Sequence, residues 1–485
     1  MNRSFLLVVL VATVLGGLLR FHELAEPSLW NDELFTVRDA FRLDEVGPMK
    51  KLSYVPTRLA LELYGVDAEQ AGAAGYGGWR ALGISEFRIR VASCLIGVLS
   101  VLALGLAGRL VLSLWAAGCT ALLLAWAPWH VEWSQNARFY IQLFFFYNLS
   151  LILYYRGSRE RSPRLLGAAL LSALAALMSH ATAMMIFGVF AVDVLHGWVR
   201  ERRLPLGRSN MLMLGLAFAV AFGIAAFSFL TRTVGFIESL TRDDSISPLR
   251  FGFDLLLTLG APLVVLALVG AWQLWREERG LGVYLGAAVV VPIVCFCLLA
   301  LQTFVSTRYV FVSLYAWLAL AAVGGEAMYR LLRDRLGQIA ALAPLICLFA
   351  AMSLVHTEYF GAGYGYRARY KHAFRYIAER RGPDDLVYST NAPGAQYYLS
   401  DPEISGDPLY DDFSDLADID TPVWFVVSTT SYDQGAGRRH PLDDQAALRA
   451  VFGTRVRYPQ TTLRVYYRPA PAAPVGSAAA PVPVP

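Results

Sequence analysis

Two adjacent carboxylates, Asp32 and Glu33, follow the first apolar run in the stretch Pro27-Ser28-Leu29-Trp30-Asn31-Asp32-Glu33. Such a pair can take a proton from a hydroxyl, help to hold a cation, or cap a helix, since acidic residues favour a first helical turn. A second polar run reads Trp129-His130-Val131-Glu132-Trp133-Ser134-Gln135-Asn136-Ala137-Arg138-Phe139-Tyr140. It crowds hydrogen-bonding side chains into a connection too short to need them for solubility. Arg138 there either serves a site or reaches to lipid headgroups, and Trp129 and Trp133 read as interfacial aromatics. His180 ends a later apolar run, Arg308-Tyr309 opens another, and Lys50 and Lys51 lie in the first polar stretch. Each alone fits an ordinary polar residue near a membrane surface, and their common side of the bilayer is what joins them.

The elements that must position these groups are membrane helices. The 485 residues are 56% hydrophobic and 16% charged, too few polar groups to solvate a globule of this size. Apolar runs of about 20 residues, the length that crosses a hydrocarbon core, recur through the first three quarters of the chain. About eleven spans are expected, near 4–20, 89–108, 111–128, 139–155, 165–179, 181–198, 211–230, 253–274, 281–301, 309–328 and 339–356. The first follows Arg3 without a small-residue cleavage site and reads as a retained helix. Arginines cluster in three connections, at 156–164, 200–208 and 330–335, all on one side, which the positive-inside rule makes cytoplasmic. The N-terminus is then inside, and 21–88, 129–138, 231–252, 302–308 and all residues after 356 are outside. Every residue named above falls on that outer face.

The domain reading is a membrane part over 1–358 with a first outer loop at 21–88, a small α/β domain over 359–468 and a Pro/Ala-rich tail over 469–485. In the α/β part, Arg369–Arg381 has helical spacing, while Asp385–Thr390, Val423–Ser428 and Leu463–Tyr467 read as buried strands. All five cysteines lie in apolar runs, which speaks against a disulfide framework or a zinc site. A net charge of +4 gives no support to a polyanion-binding function. Gly72–Gly78 lacks the Gly-Lys-Ser/Thr of a nucleotide loop. Only Lys50, Lys51 and Lys371 are lysines, and this bias toward arginine points to a bacterial chain and hence to the inner membrane.

The outer-face segments resemble the lipid-phosphate-sugar-dependent glycosyltransferases of the GT-C fold, in particular glycosyltransferase family 39, which includes protein O-mannosyltransferases and the lipid A aminoarabinose transferase. Trp30-Asn31-Asp32-Glu33 is similar to the family's Trp-x-Asp-Glu element, and Ser85-Glu86-Phe87-Arg88-Ile89-Arg90-Val91-Ala92-Ser93 to its lead into the second span. Trp133-Ser134-Gln135-Asn136-Ala137-Arg138-Phe139-Tyr140 resembles its Ser-Gln-x-Ala-Arg-x-Tyr element, and His180 and Arg308-Tyr309 fall where relatives carry a His and an Arg-Tyr pair. Two places depart: Ser53-Tyr54-Val55-Pro56 stands where many relatives have His-Pro-Pro, and Asn136 where an acidic residue is common.

The resemblance implies a polytopic α-helical membrane protein of GT-C type with a small C-terminal α/β soluble domain. Its implied activity is inverting transfer of a sugar from a polyprenyl-phosphate carrier to an acceptor hydroxyl on a glycan, lipid or protein. Asp32 is then the base, with Glu33 orienting it or touching the sugar. Arg138 and Arg308, with Lys50 and Lys51 as alternatives, hold the phosphate. His130, Gln135, Tyr140, His180 and Tyr309 line the substrate. No obligatory metal is expected, a divalent cation stays open, and no nucleic-acid partner is expected. The alternative is a transporter or flippase of lipid-linked sugar, which also needs many spans and polar groups at membrane depth.

Overall fold

The computed structural model describes residues 2–201, Gly215, Gly223, 247–301, 305–361, 363–404, 420–429, Leu442, 446–453 and 462–470. They fall into two compact units, one built from 1–24, 39–64 and 87–357, the other from 25–38, 65–86 and 358–485.

The helices in chain order are α1 (Arg3–Phe21), α2 (Asn31–Phe41), α3 (Pro48–Leu63), α4 (Ala68–Gly78), α5 (Glu86–Gly108), α6 (Leu114–Trp126), α7 (Pro128–Ser134), α8 (Tyr140–Glu160), α9 (Pro163–Ser179) and α10 (Met185–Glu201). After them come α11 (Pro248–Leu259), α12 (Ala261–Glu277), α13 (Arg279–Leu299), α14 (Leu314–Leu336) and α15 (Ala343–Phe360). Among the described residues six helices are long and apolar enough to cross a membrane, or up to eight if each of two bent pairs is one span. Pro163–Ser179 is apolar but shorter, and the expected span at 211–230 lies outside the described residues, Gly215 and Gly223 apart. The protein is a multi-pass, mainly helical membrane protein.

Both bends have a local cause. The α6–α7 pair turns by 56° where Pro128 enters as the first residue of α7 and brings no N–H to continue the ladder. The α11–α12 pair turns by 95° at Gly260, whose φ of +79° suits a residue without Cβ. The tightest packing joins α12 to α14: a Cβ on Gly270 would lie 1.8 Å from the Leu320 carbonyl oxygen, and one on Gly324 would lie 2.0 Å from that of Leu266. Small residues that let backbones touch are the usual way to gain packing where lipid supplies no hydrophobic drive.

The second unit holds α4, α16 (Tyr370–Ala378), α17 (Ala392–Leu399) and a four-stranded sheet in the order β1-β2-β4-β3. Its strands are β1 (Leu386–Ser389), β2 (Val423–Thr429), β3 (Ala447–Gly453) and β4 (Thr462–Arg468). β1 runs parallel to β2 with Val387 opposite Trp424, and β4 runs antiparallel to β2 with Phe425 opposite Tyr466. Val423, Phe425, Val427, Leu442 and Tyr466 form one buried cluster. Three of these strands and the helix at 370–378 match the expected elements; β3, whose side chains are mostly exposed, is additional.

Candidate active site

In the membrane unit three of the cations singled out in the sequence, Lys50, Arg138 and Arg308, lie near enough to His180 to act on its charge. This residue sits in the connection between α9 and the 3-10 turn Ala181–Met184, outside the apolar helices, and its Nδ1 accepts from the Thr182 backbone N–H at 3.3 Å. Its ring lies flat on Phe139, with centroids 4.1 Å apart and planes 3° from parallel. Burial, then the positive charges of Lys50, Arg138 and Arg308, push its pKa down to about 3, so the imidazole is neutral at physiological pH. Three cations thus converge on a half-buried neutral ring. Arg138 also lies over the Phe139 ring at 5.2 Å. Arg308 lies over the Tyr309 ring at 5.2 Å, and Tyr309 stacks on Phe296 at 5.4 Å. A guanidinium over an aromatic face is held there by cation–π attraction.

The loop bearing Arg138 is fixed from behind by Arg20, which is wholly buried near the end of α1. All five of its N–H donors are used. Nε donates to Ser134 Oγ at 3.2 Å, one terminal nitrogen to the carbonyls of Gly16 and Ala125 at 2.7 and 3.0 Å, and the other to the Leu124 carbonyl at 3.1 Å and to His130 Nδ1 at 2.5 Å. Helix α6 ends at Trp126 and Pro128 lacks an N–H, so the carbonyls of Leu124 and Ala125 lose their helical partners at the break. The guanidinium replaces them. The Trp126 carbonyl is within 2.9 Å of His356 Nε2. Gln135 donates to the carbonyls of Arg20 and His22 at 3.1 and 2.7 Å. Tyr140 is buried 4.2 Å from the Trp133 ring centroid. On the other flank, Gln142 donates to the Leu52 carbonyl at 2.7 Å and Ser53 to the Ser179 carbonyl at 2.5 Å, joining α3, which carries Lys50 and Lys51, to α8 and α9.

The carboxylates belong to the second unit. Asp32 and Glu33 occupy the first turn of α2, Asp32 half-buried and Glu33 wholly buried. The segment before them is held by residues far along the chain. Tyr398 Oη accepts from the Leu29 N–H at 2.8 Å, Ser28 Oγ accepts from the Lys371 N–H at 3.0 Å, and the Arg367 guanidinium lies over the Trp30 ring at 4.8 Å. Lys371 also reaches the Ala25 carbonyl at 3.2 Å and Glu86 at 3.5 Å. Gly365, with φ +63°, lets the backbone close on Pro27, where a Cβ would come within 2.6 Å of the proline ring.

Two crystal structures of ArnT from Cupriavidus metallidurans, apo and bound to undecaprenyl phosphate, align with 95% and 94% of this chain and 97% of their own, at TM-scores of 0.57 and 0.55 and identities of 14% and 15%. The chain has a GT-C-type fold. The oligosaccharyltransferase AglB of Archaeoglobus fulgidus, in complex with an inhibitory peptide and a dolichol-phosphate, aligns over 82% of this chain and 63% of its own at a TM-score of 0.52 and 11% identity. No family model and no curated protein sequence matches the chain.

Within this GT-C-type fold, Lys50, Arg138, His180 and Arg308 are brought together, with Tyr309 beside Arg308. His130 and Gln135 lie on the supporting side of the loop, engaged by Arg20, and Asp32 and Glu33 stand in the other unit. Among the described residues no three of His, Cys, Asp and Glu converge to hold a metal ion. Arg20, Arg367, Lys371 and Tyr398 are the positioning residues that sequence inspection passes over. Arg20 carries one signal: it is a cation that closes an otherwise apolar span.

Proposed function

We propose that this protein is an inverting glycosyltransferase that moves a sugar from a polyprenyl-phosphate carrier to an acceptor hydroxyl. In this reading it acts at the extracytoplasmic face of a bacterial inner membrane, with its N-terminus in the cytoplasm and residues 359–468 as an extracytoplasmic domain. The observation that carries the reading is the convergence of Lys50, Arg138 and Arg308 on the neutral His180 ring in a GT-C-type fold. Three cations around a neutral ring suit a phosphate.

Arg138 and Arg308 hold the carrier phosphate, with Lys50 and Lys51 at its edge. As the bond between the anomeric carbon and the phosphate oxygen breaks, both electrons leave with the phosphate, and the guanidiniums stabilise the charge that develops there. The acceptor oxygen attacks the anomeric carbon from the opposite side, which inverts its configuration. Its proton passes to the Asp32 carboxylate, while Glu33 orients Asp32 or the sugar. Neutral His180 and the Tyr309 hydroxyl offer hydrogen bonds to the substrate without adding charge. A divalent cation, if one is used, supplements the same charge neutralisation.

Incubating the purified protein with a panel of polyprenyl-phosphate sugars and scoring consumption of one donor tests the reading. Asp32→Asn is expected to abolish consumption while donor binding and melting behaviour persist. A fully active Asp32→Asn protein overturns the base assignment. Movement of donor across vesicle bilayers without consumption overturns the transferase reading in favour of a flippase.

A further inference from the structure

The membrane unit has a polar cavity at the end of its helices away from His180. Arg138 precedes the first turn of α8, whereas Tyr155, Arg156 and Arg159 lie in its last turns, so the two regions are roughly 25 Å apart along this helix at 1.5 Å per residue. The cavity measures about 490 Å³, within the range of small-ligand sites. It opens among the link between α5 and α6, the ends of α8 and α12, the start of α13 and the middle of α14. This is the end at which the connecting arginines gather.

Its charges are of both signs and do not all satisfy one another. Arg109, Arg156, Arg159 and Arg330 line it, as do Glu277, Glu278 and Glu326. Arg159 is held by the buried Asp193 at 2.8 Å, Arg156 pairs with Glu160, and Arg330 pairs with Glu326, which also accepts from Ser113 at 2.7 Å. Outside these pairs stand the Arg109 guanidinium on the α5–α6 link and the exposed Glu277 and Glu278 at the end of α12. Leu110, Val111, Leu112, Leu274 and Leu281 add apolar lining.

A bare phosphate placed here meets two carboxylates, and a bare cation meets arginine. An occupant that satisfies both kinds of charge carries an anion and a hydrogen-bonding cation on an apolar body. We propose that this cavity takes the headgroup of a zwitterionic aminophospholipid, its phosphodiester on Arg109 with a shared N–H from Arg156, and its primary ammonium on Glu277 and Glu278. A primary ammonium offers three N–H donors to the two carboxylates, which a quaternary ammonium lacks.

The test uses the full-length protein in lipid nanodiscs or mixed micelles. Retention of phosphatidylethanolamine, phosphatidylcholine and phosphatidylglycerol of matched chains is compared by native mass spectrometry, with free phosphoethanolamine as competitor. The expected result is a preference of about tenfold or more for phosphatidylethanolamine over either other lipid. Arg109→Gln and the double change Glu277→Gln, Glu278→Gln are each expected to remove that preference without altering melting in lipid-free detergent. Equal retention of the three lipids, or a preference that survives both variants, overturns the site. Displacement by free phosphoethanolamine at the concentration of the lipid overturns the lipid as the source of the headgroup. Sugar transfer is not part of the readout, so the outcome is independent of the function proposed above.

Discussion

Replacing Arg20 with Met keeps most of the side-chain volume and removes five N–H donors from the α6–α7 break. Not all five acceptors then go unsatisfied. The Gly16 carbonyl lies in the interior of α1, and Ser134 Oγ keeps its 2.6 Å bond to the His130 carbonyl. The Leu124 and Ala125 carbonyls and His130 Nδ1 are left without the partner that fills them, and a buried unsatisfied group costs about 1–3 kcal/mol. Three such groups amount to about 6 kcal/mol at mid-range. Removing a buried cation returns part of this, since its desolvation is several kcal/mol. The net expectation is a loss of about 3 kcal/mol, because two of the orphaned acceptors are backbone and no side-chain change can remove them. Arg20→Lys, with three donors on one nitrogen, is expected to fall between the two. Denaturant titration or thermal melting of the purified protein in one detergent measures this. A melting free energy for Arg20→Met within about 0.5 kcal/mol of the parent refutes the accounting, as that is the scatter of neutral substitutions.

Three other outcomes are expected. Gly324→Ala or Gly270→Ala forces α12 and α14 apart, since the new methyl would lie about half a van der Waals contact from a carbonyl oxygen, and each is expected to lower stability by about 2 kcal/mol or more, read as lost monodisperse protein in detergent. His180 is neutral in the folded state down to about pH 3 but takes a proton near 6.5 when unfolded, so the unfolded chain binds more protons between those values and stability, complete above 6.5, falls as pH drops through that window. The slope is at most about 1.4 kcal/mol per pH unit, and less for a half-buried ring; His180→Gln is expected to flatten the melting profile between neutral pH and about pH 4, and an unchanged profile contradicts the burial of a neutral ring. Arg308→Ala is expected to weaken binding of polyprenyl phosphate by about tenfold or more while acceptor affinity holds, and unchanged donor affinity in a direct binding assay removes Arg308 from the phosphate site.

The sequence conveys what is periodic and what is contiguous. The apolar runs mark the helices, and Val387, Phe425 and Val465 sit in strands that were visible as short buried stretches. β3 does not stand out in the sequence, since Ala-Leu-Arg-Ala-Val-Phe-Gly has neither strict alternation nor an uninterrupted apolar run, and its Leu448 and Val451 stay exposed. The stretch 21–88, expected as an outer loop, contains three helices, because polar amphipathic segments give a far weaker signal than membrane spans. At the candidate site the residue types of the 129–140 run were legible, but not their division of labour. Arg138 faces the cation cluster at His180, whereas His130, Ser134 and Gln135 serve Arg20, over a hundred residues earlier in the chain. Such pairings depend on where two helix ends meet in space, which no local pattern encodes.

Arg20 also constrains biogenesis. A guanidinium with no carboxylate beside it among the described residues cannot rest in hydrocarbon, yet four of its five native acceptors belong to the broken α6–α7 span, made over a hundred residues later. While ribosomal synthesis proceeds, Arg20, one residue from the end of α1, can keep its charge at the headgroup level. It can turn inward only once the α6–α7 break presents its exposed carbonyls. The first helix is therefore inserted early but docked late, and the broken span acts as the template that completes it.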